Sequence, residues 1–194
     1  WESLLHVPVN GDPHFTWRVD YGDTIRRHAL GRYDRLLTAA ITHPAMLISL
    51  SAATSTKVAP NENLGRELLE LHTVGLGNHD ESDVKDSARI LTGWHVDLWR
   101  SWAASYRPED HATGAVRVGT FSHPNTDPDG RAVTRAYLRH LAHHPDTARR
   151  VCHRLATKFV HDDPPAALVR RLARVYVRND TAIVPVLREL VASK

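Results

Sequence analysis

The sequence predicts a mainly α fold, with antiparallel helical pairs packed in one domain and one long irregular loop. Apolar residues recur at three- and four-residue intervals over most of the chain, helix start and stop signals punctuate it, and strand signals are few. A length of 194 residues with 42% hydrophobic and 24% charged content suits one globular domain with a real core, and excludes disordered and fibrous classes. No run approaches the roughly 18 apolar residues of a membrane span, and no basic-then-apolar signal opens the chain. Because the chain starts at Trp1 without Met, it reads as a fragment or processed form, and export stays open.

Residues 1–20 carry Pro and Gly without a sustained period and read as an irregular lead-in. Tyr21–Leu30 then reads as a helix stopped by Gly31, and Tyr33–Ile41 as a second with Leu36, Leu37, Ala40 and Ile41 inward. His43-Pro44 restarts a short helix, and the polar stretch Ser51–Pro60 leads into the next. Residues 95–130 hold several prolines and no period, so they read as the long loop, with a short strand pair around Val116–Phe121. Helices return over Arg131–Ala142, Pro145–Phe159, Pro164–Val177 and Thr181–Ala192, with Pro145 and Pro164 suited to first turns. Pro185 is compatible with the last of these only in its first turn.

The most informative stretch is Asn61–Trp94. As a helix, Asn61–Val74 places Leu64, Leu68 and Leu71 on one apolar stripe and Asn63, Glu67 and Glu70 on a neighbouring face. Arg66 stands four residues before Glu70, within reach of it. Gly75 and Gly77 stop that helix. Asp80 with Asp83 three residues on has the form of an N-cap with an acid at N3, and Val84, Ala88 and Leu91 carry the period up to Gly93. Glu67 borders the apolar stripe, so the expectation is a partner from outside its helix: Arg89, Arg27 or His28.

This stretch, Asn61-Glu62-Asn63, Arg66-Glu67-Leu68, Glu70-Leu71-His72-Thr73 and Gly75, then Asp83-Val84 and Ala88-Arg89 with Leu91-Thr92-Gly93-Trp94, resembles the signature of the bacterial family called domain of unknown function 1800. Arg27–Gly31, His43–Leu47, His144-Pro145 with Thr147–Arg149, and Phe159-Val160 with Asp162–Pro164 resemble further family segments in the same order, so the resemblance spans nearly the whole chain. The family name carries no activity. What the resemblance implies is a fold and a setting: members are usually longer, often exported to the envelope or beyond, and often encoded beside another exported protein, which is the implied partner.

Departures from the family pattern fall on polar groups. An aromatic residue followed by a His-x-His-Phe run, common in members, would register on Trp1–Leu5, which has neither histidine, unless a local insertion shifts the role to His6 and His14. His111-Ala112-Thr113-Gly114 stands where His-Asp-x-Gly is common, and Leu50-Ser51 where an acid often follows the Leu.

Charge is asymmetric. Residues 131–194 hold 13 Lys and Arg against 5 Asp and Glu, a charge of +8, while the rest carries −5 within a formal +3. A basic half is one signature of nucleic-acid contact. Here Arg149, Arg150, Arg154, Arg170, Arg171, Arg174 and Arg178 fall between apolar positions as solvated faces do. With no recognition motif or stacking platform, no nucleic-acid partner is expected.

The 14 histidines show no metal-ligand spacing. Glu70 and His72 would point about 200° apart on a helix, so a metal site would have to recruit ligands elsewhere, with His111, His123, Asp127 and Asp129 of the long loop as candidates. No metal and no cofactor are expected. Cys152, on a stripe with Ala148 and Leu155, reads as a small core residue, and Ser51, Ser82 and Ser122 lie in no nucleophile elbow.

The candidates for chemistry are therefore Glu67, Glu70 and Asn63, with Trp94, Trp99, Trp102 and His111 as candidates for binding beneath or on a lid formed by the loop. Against this stands a reading in which the carboxylates tie the two helices together through Arg66 or Arg89, and the tryptophans pack a loop onto a helical body. Two functions follow: a non-catalytic envelope or extracellular component that binds a partner, or a carboxylate-based or metal-assisted hydrolase using Glu67 and Glu70.

Overall fold

A computed structural model of the chain describes residues 1–9 and 15–193; His14 lies outside them. The fold is mainly α, with nine α-helices and two small antiparallel hairpins among the described residues. The helices are α1 (Arg18–His28), α2 (Tyr33–Ile41), α3 (Pro44–Ser49), α4 (Glu62–Glu67), α5 (Glu81–Ile90), α6 (Arg131–His143), α7 (Pro145–Phe159), α8 (Ala166–Arg178) and α9 (Ile183–Ala192). None is long and apolar enough to cross a membrane among the described residues.

Local chemistry accounts for most of these boundaries. The imidazole of His43 accepts the N–H of Ala45 at 3.1 Å and caps α3. Asp80 and Asp83 form both halves of a capping box on α5. Pro145 opens α7, where the missing N–H costs nothing, and Pro185 falls in the first turn of α9. Leu36, Leu37, Ala40 and Ile41 of α2 are fully buried, as their spacing predicts, in a core shared with α6, α7 and α8.

Two differences come from backbone geometry. Past Glu67 the helix widens into one π turn over Leu68–His72. More residues per turn rotate the following side chains backwards, so His72 enters the core and Leu71 leaves it, 46% exposed. The expected Leu64–Leu68–Leu71 stripe is thus corrected to Leu64, Leu68, Leu69 and His72. Phe159, at the C-terminal end of α7, is 63% exposed although its spacing from Cys152 and Leu155 would place it on the apolar stripe.

The long loop is more ordered than its composition predicts. The expected pair near Val116 is a hairpin of β3 (Val116–Val118) and β4 (Phe121–His123). An unexpected one joins β1 (Trp94–Val96) to β2 (Ala104–Tyr106), registered Trp94 with Tyr106. The β1–β2 hairpin lies against α3, the β3–β4 hairpin across α5. Arg89 of α5 anchors the segment, donating to the carbonyls of Thr113, Gly114 and Ala115 at 3.1 to 3.2 Å while pairing with Asp86 at 2.8 Å.

Candidate functional site

Around α4 the polar side chains divide their work. Asn61 accepts the N–H of Leu64 at 3.0 Å and donates to the Ser51 carbonyl at 2.9 Å, and Asn63 donates to the Leu50 carbonyl at 3.3 Å. Both hold the Ser51–Pro60 stretch against the helix start. Arg66 forms a two-pronged pair with Glu81 at 2.8 Å and only grazes Glu70 at 4.0 Å. Glu70 lies 3.3 Å from Nε2 of His79. Asn63 and Glu70 are thereby occupied by structural contacts.

Glu67 differs from both. Arg89, Arg27 and His28 do not reach it, and it makes no hydrogen bond or ion pair among the described residues, which corrects the expected inter-helix tie. The reason is directional: Arg89 faces the β3–β4 side of α5, whereas Glu67 faces the N-terminal segment. There it lines a cavity of about 290 Å³ with His6, Ser49, His72 and Arg154. Partial loss of water and the neighbouring Glu70 carboxylate push its carboxyl above the usual range, and Arg66 opposes this. No residue of 95–130 lines this cavity, so the expected lid over the carboxylates is not formed there.

His72, beside Glu67, is sealed. Its Nδ1 contacts the Leu4 carbonyl at 2.7 Å, and burial lowers its pKa to about 4. It is a neutral core imidazole at physiological pH. In the stretch that registers with the family's aromatic and His-x-His-Phe run, Trp1 stacks on Tyr33 and donates its indole N–H to the Ala29 carbonyl, while Leu4 and Leu5 are core.

His111 is also removed from the binding candidates. Only 2% exposed, it meets Asn125 Oδ1 at 3.0 Å through Nε2, and Thr92 through Nδ1. Asn125, in the left-handed region that Asn tolerates, closes the network by donating to the Ala112 carbonyl. Every ring nitrogen has a neighbour, and none faces solvent.

The tryptophans separate. Trp94 is half-buried, edge-on to Tyr106 at 5.1 Å. Trp102 packs against the core, and its carbonyl accepts the Trp17 indole N–H at 3.1 Å. Trp99, at the tip of the β1–β2 hairpin, is 68% exposed with only Trp102 as ring neighbour, 5.2 Å away. Both Trp99 and Trp102 have positive φ, 64° and 58°, a costly conformation for bulky residues.

One cleft was missed by sequence reasoning. It measures about 710 Å³ and is lined by Arg150, His153, Arg154, Thr157 and Lys158 of α7, with Ser3 and Asp162. Cations at intervals of four along one helix are the available signal, and their alternation with apolar positions equally describes a solvated face. Instead, Arg150 is half-buried, with a buried Nε that has no hydrogen-bond partner among the described residues.

Among the described residues no group of three or more His, Cys, Asp or Glu is arranged to hold a metal ion. Cys152 is buried, its thiol pushed up to about 12 by loss of water. No curated protein and no solved structure matches this chain. The family model described as a protein of unknown function, DUF1800, matches residues 1–194, the whole chain, and the chain therefore belongs to that family.

Proposed function

We propose that this chain is a non-catalytic binding component that engages a partner protein through the tip of its β1–β2 hairpin. The observation that carries this reading is Trp99: a large apolar ring, 68% exposed, on a backbone strained at two tryptophans. Exposing such a ring wastes its burial energy unless something covers it, and Trp is over-represented among residues that dominate protein interfaces. The groups expected to do chemistry argue the same way. Asn63 and Glu70 are engaged in structural contacts, His111 is enclosed, and Glu67 has no second acid or base within hydrogen-bond reach among the described residues. An envelope or extracellular setting, with an exported protein encoded nearby as the partner, rests on the family's habits.

The test is calorimetric titration of the chain with that neighbouring protein. Trp99→Ser should weaken binding at least about 30-fold, the loss typical of a central interface residue. Unchanged affinity would remove the proposal.

A second reading is kept alive by one observation, the unpaired Glu67 carboxyl in its cavity. In it Glu67 serves as a general base, with Glu70 in support. Hydrolytic turnover abolished by Glu67→Gln, in protein of intact fold, would favour it over partner binding.

A further inference from the structure

We propose that the α7 cleft binds an organic anion, its oxyanion head held by Arg150, Arg154 and Lys158 and its apolar body laid in the adjoining trough beside Leu155 and Phe159. Trp99 lines neither cavity, so this inference is independent of the hairpin reading.

The head-group site rests on unmatched charge. Arg18, Arg26, Arg32, Arg66, Arg89 and Arg131 each have a carboxylate partner. Arg150, Arg154 and Lys158 have none among the described residues, although they stand one turn apart on the same face, where like charges repel. Among the described residues Asp162 is the only carboxylate lining the cleft, and it forms no ion pair with them. Arg154 makes a single long hydrogen bond, 3.5 Å to the Ser3 carbonyl. Arg150 reaches inward, so that a Cβ on Gly75 would lie 3.1 Å from its Nη1. Burial and the neighbouring Arg154 both disfavour its charge. An oxyanion entering the cleft relieves this repulsion and presents two oxygens to a guanidinium fork, which a single point charge cannot do as well.

The body of the ligand follows from what adjoins the cleft. A trough of about 470 Å³ shares Ser3, Arg154 and Lys158 with it and continues over Trp1, Leu4, Leu30, Leu155, Phe159 and Leu187. Leu30 and Phe159 are 64% and 63% exposed there. A small inorganic anion would leave this surface wet, and a neutral apolar molecule would leave the cations unmatched. A molecule with an anionic head and an alkyl or aromatic body satisfies both.

The probe is dodecyl phosphate below its micelle-forming concentration, titrated calorimetrically into the full 194-residue chain at low ionic strength. Inorganic phosphate and dodecyl maltoside are the comparators. Dodecyl phosphate should bind at least about tenfold more tightly than either. Arg154→Glu with Lys158→Glu, both at exposed positions, should cost about tenfold or more for both phosphates, while Phe159→Ser should weaken dodecyl phosphate alone. Circular dichroism confirms that each variant is folded. Equal affinity for dodecyl maltoside, or indifference to the double charge reversal, would overturn the proposal. So would binding to phosphatidylglycerol vesicles without binding of monomeric dodecyl phosphate, which would assign the charge to a membrane-facing surface and not to a cleft.

Discussion

The imidazole of His111 occupies the space that a side chain on Gly130 would need: a Cβ built there falls 2.2 Å from Cε1 of the ring. Gly130 has an ordinary φ of −70° as the N-cap of α6, so sterics, and not conformational freedom, select glycine. Its N–H donates to the Tyr106 hydroxyl at 2.8 Å, which leaves the backbone little room to retreat.

Gly130→Ala should therefore destabilise the protein by about 1–3 kcal/mol, the usual range for overpacking a filled interior. Urea denaturation followed by tryptophan fluorescence measures it. A variant as stable as the parent would mean that the His111–Asn125–Thr92 network yields easily.

The helices were legible because their signals are local. The α2 stripe, the acid pair Asp80–Asp83 and the first-turn Pro145 each act within a few residues, whereas Pro164, expected in a first turn, precedes the Pro165 N-cap of α8. The β1–β2 hairpin was hidden because its strands are three residues long and β2 is mostly exposed, so no alternation marks it. Neither could periodicity reveal the π turn, since one widened turn moves Leu71 out and His72 in without changing composition. Glu67 was read correctly as standing beside the core, but its partner depended on which way Arg89 turns. The α7 cleft depends on Ser3, some 150 residues away in sequence.

Acid should unfold this protein earlier than its carboxylates alone predict, through His72. The imidazole is 4% exposed and its pKa falls from 6.5 to about 4 because burial penalises its charge. The unfolded chain binds the proton first, so stability rises with pH between those values; the contribution is complete above the unfolded pKa and is lost as pH falls toward the folded one. The full span amounts to at most about 3 kcal/mol. Burial lowers His43 too, and it adds in the same direction. His72→Gln should flatten the stability profile between pH 4 and 6.5; an unchanged slope would place the proton uptake elsewhere.

Glu67 titrates in the opposite sense. A carboxyl pushed above its ordinary pKa is taken up protonated by the folded state, so its contribution is present at low pH and lost as pH rises through the folded value. At neutral pH Glu67→Gln should stabilise slightly, by less than about 1 kcal/mol given its partial exposure. Glu67→Ala should also be cheap, because no partner is left unpaired. A loss of about 3–5 kcal/mol, the range for breaking a buried ion pair, would reveal a partner that this geometry does not contain. Thermal denaturation of both variants at neutral and acidic pH distinguishes the cases.

Arg89 carries the last prediction, since its guanidinium joins the β3–β4 segment to α5 by polar contacts beside the buried Val116, Val118 and Phe121. It pairs with Asp86 on its own helix and donates to three successive carbonyls of the 113–115 turn, fixing the start of β3 against α5. Asp86 and Asp83 continue the clamp by accepting the N–H groups of Arg117 and Gly119 at 2.7 Å. Removing the guanidinium would leave Asp86 without its cation and release the three carbonyls to water. Arg89→Met should cost about 2 kcal/mol, in the range of hydrogen bonds to a charged group. Arg89→Lys should recover less than half of that, because an ammonium cannot reach a carboxylate and three spread carbonyls at once. Hydrogen exchange localises the effect: amides of residues 114–119 should lose protection in both variants while those of α7 keep theirs. Uniform loss across the protein would instead make Arg89 a determinant of global stability and leave the hairpin clamp without support.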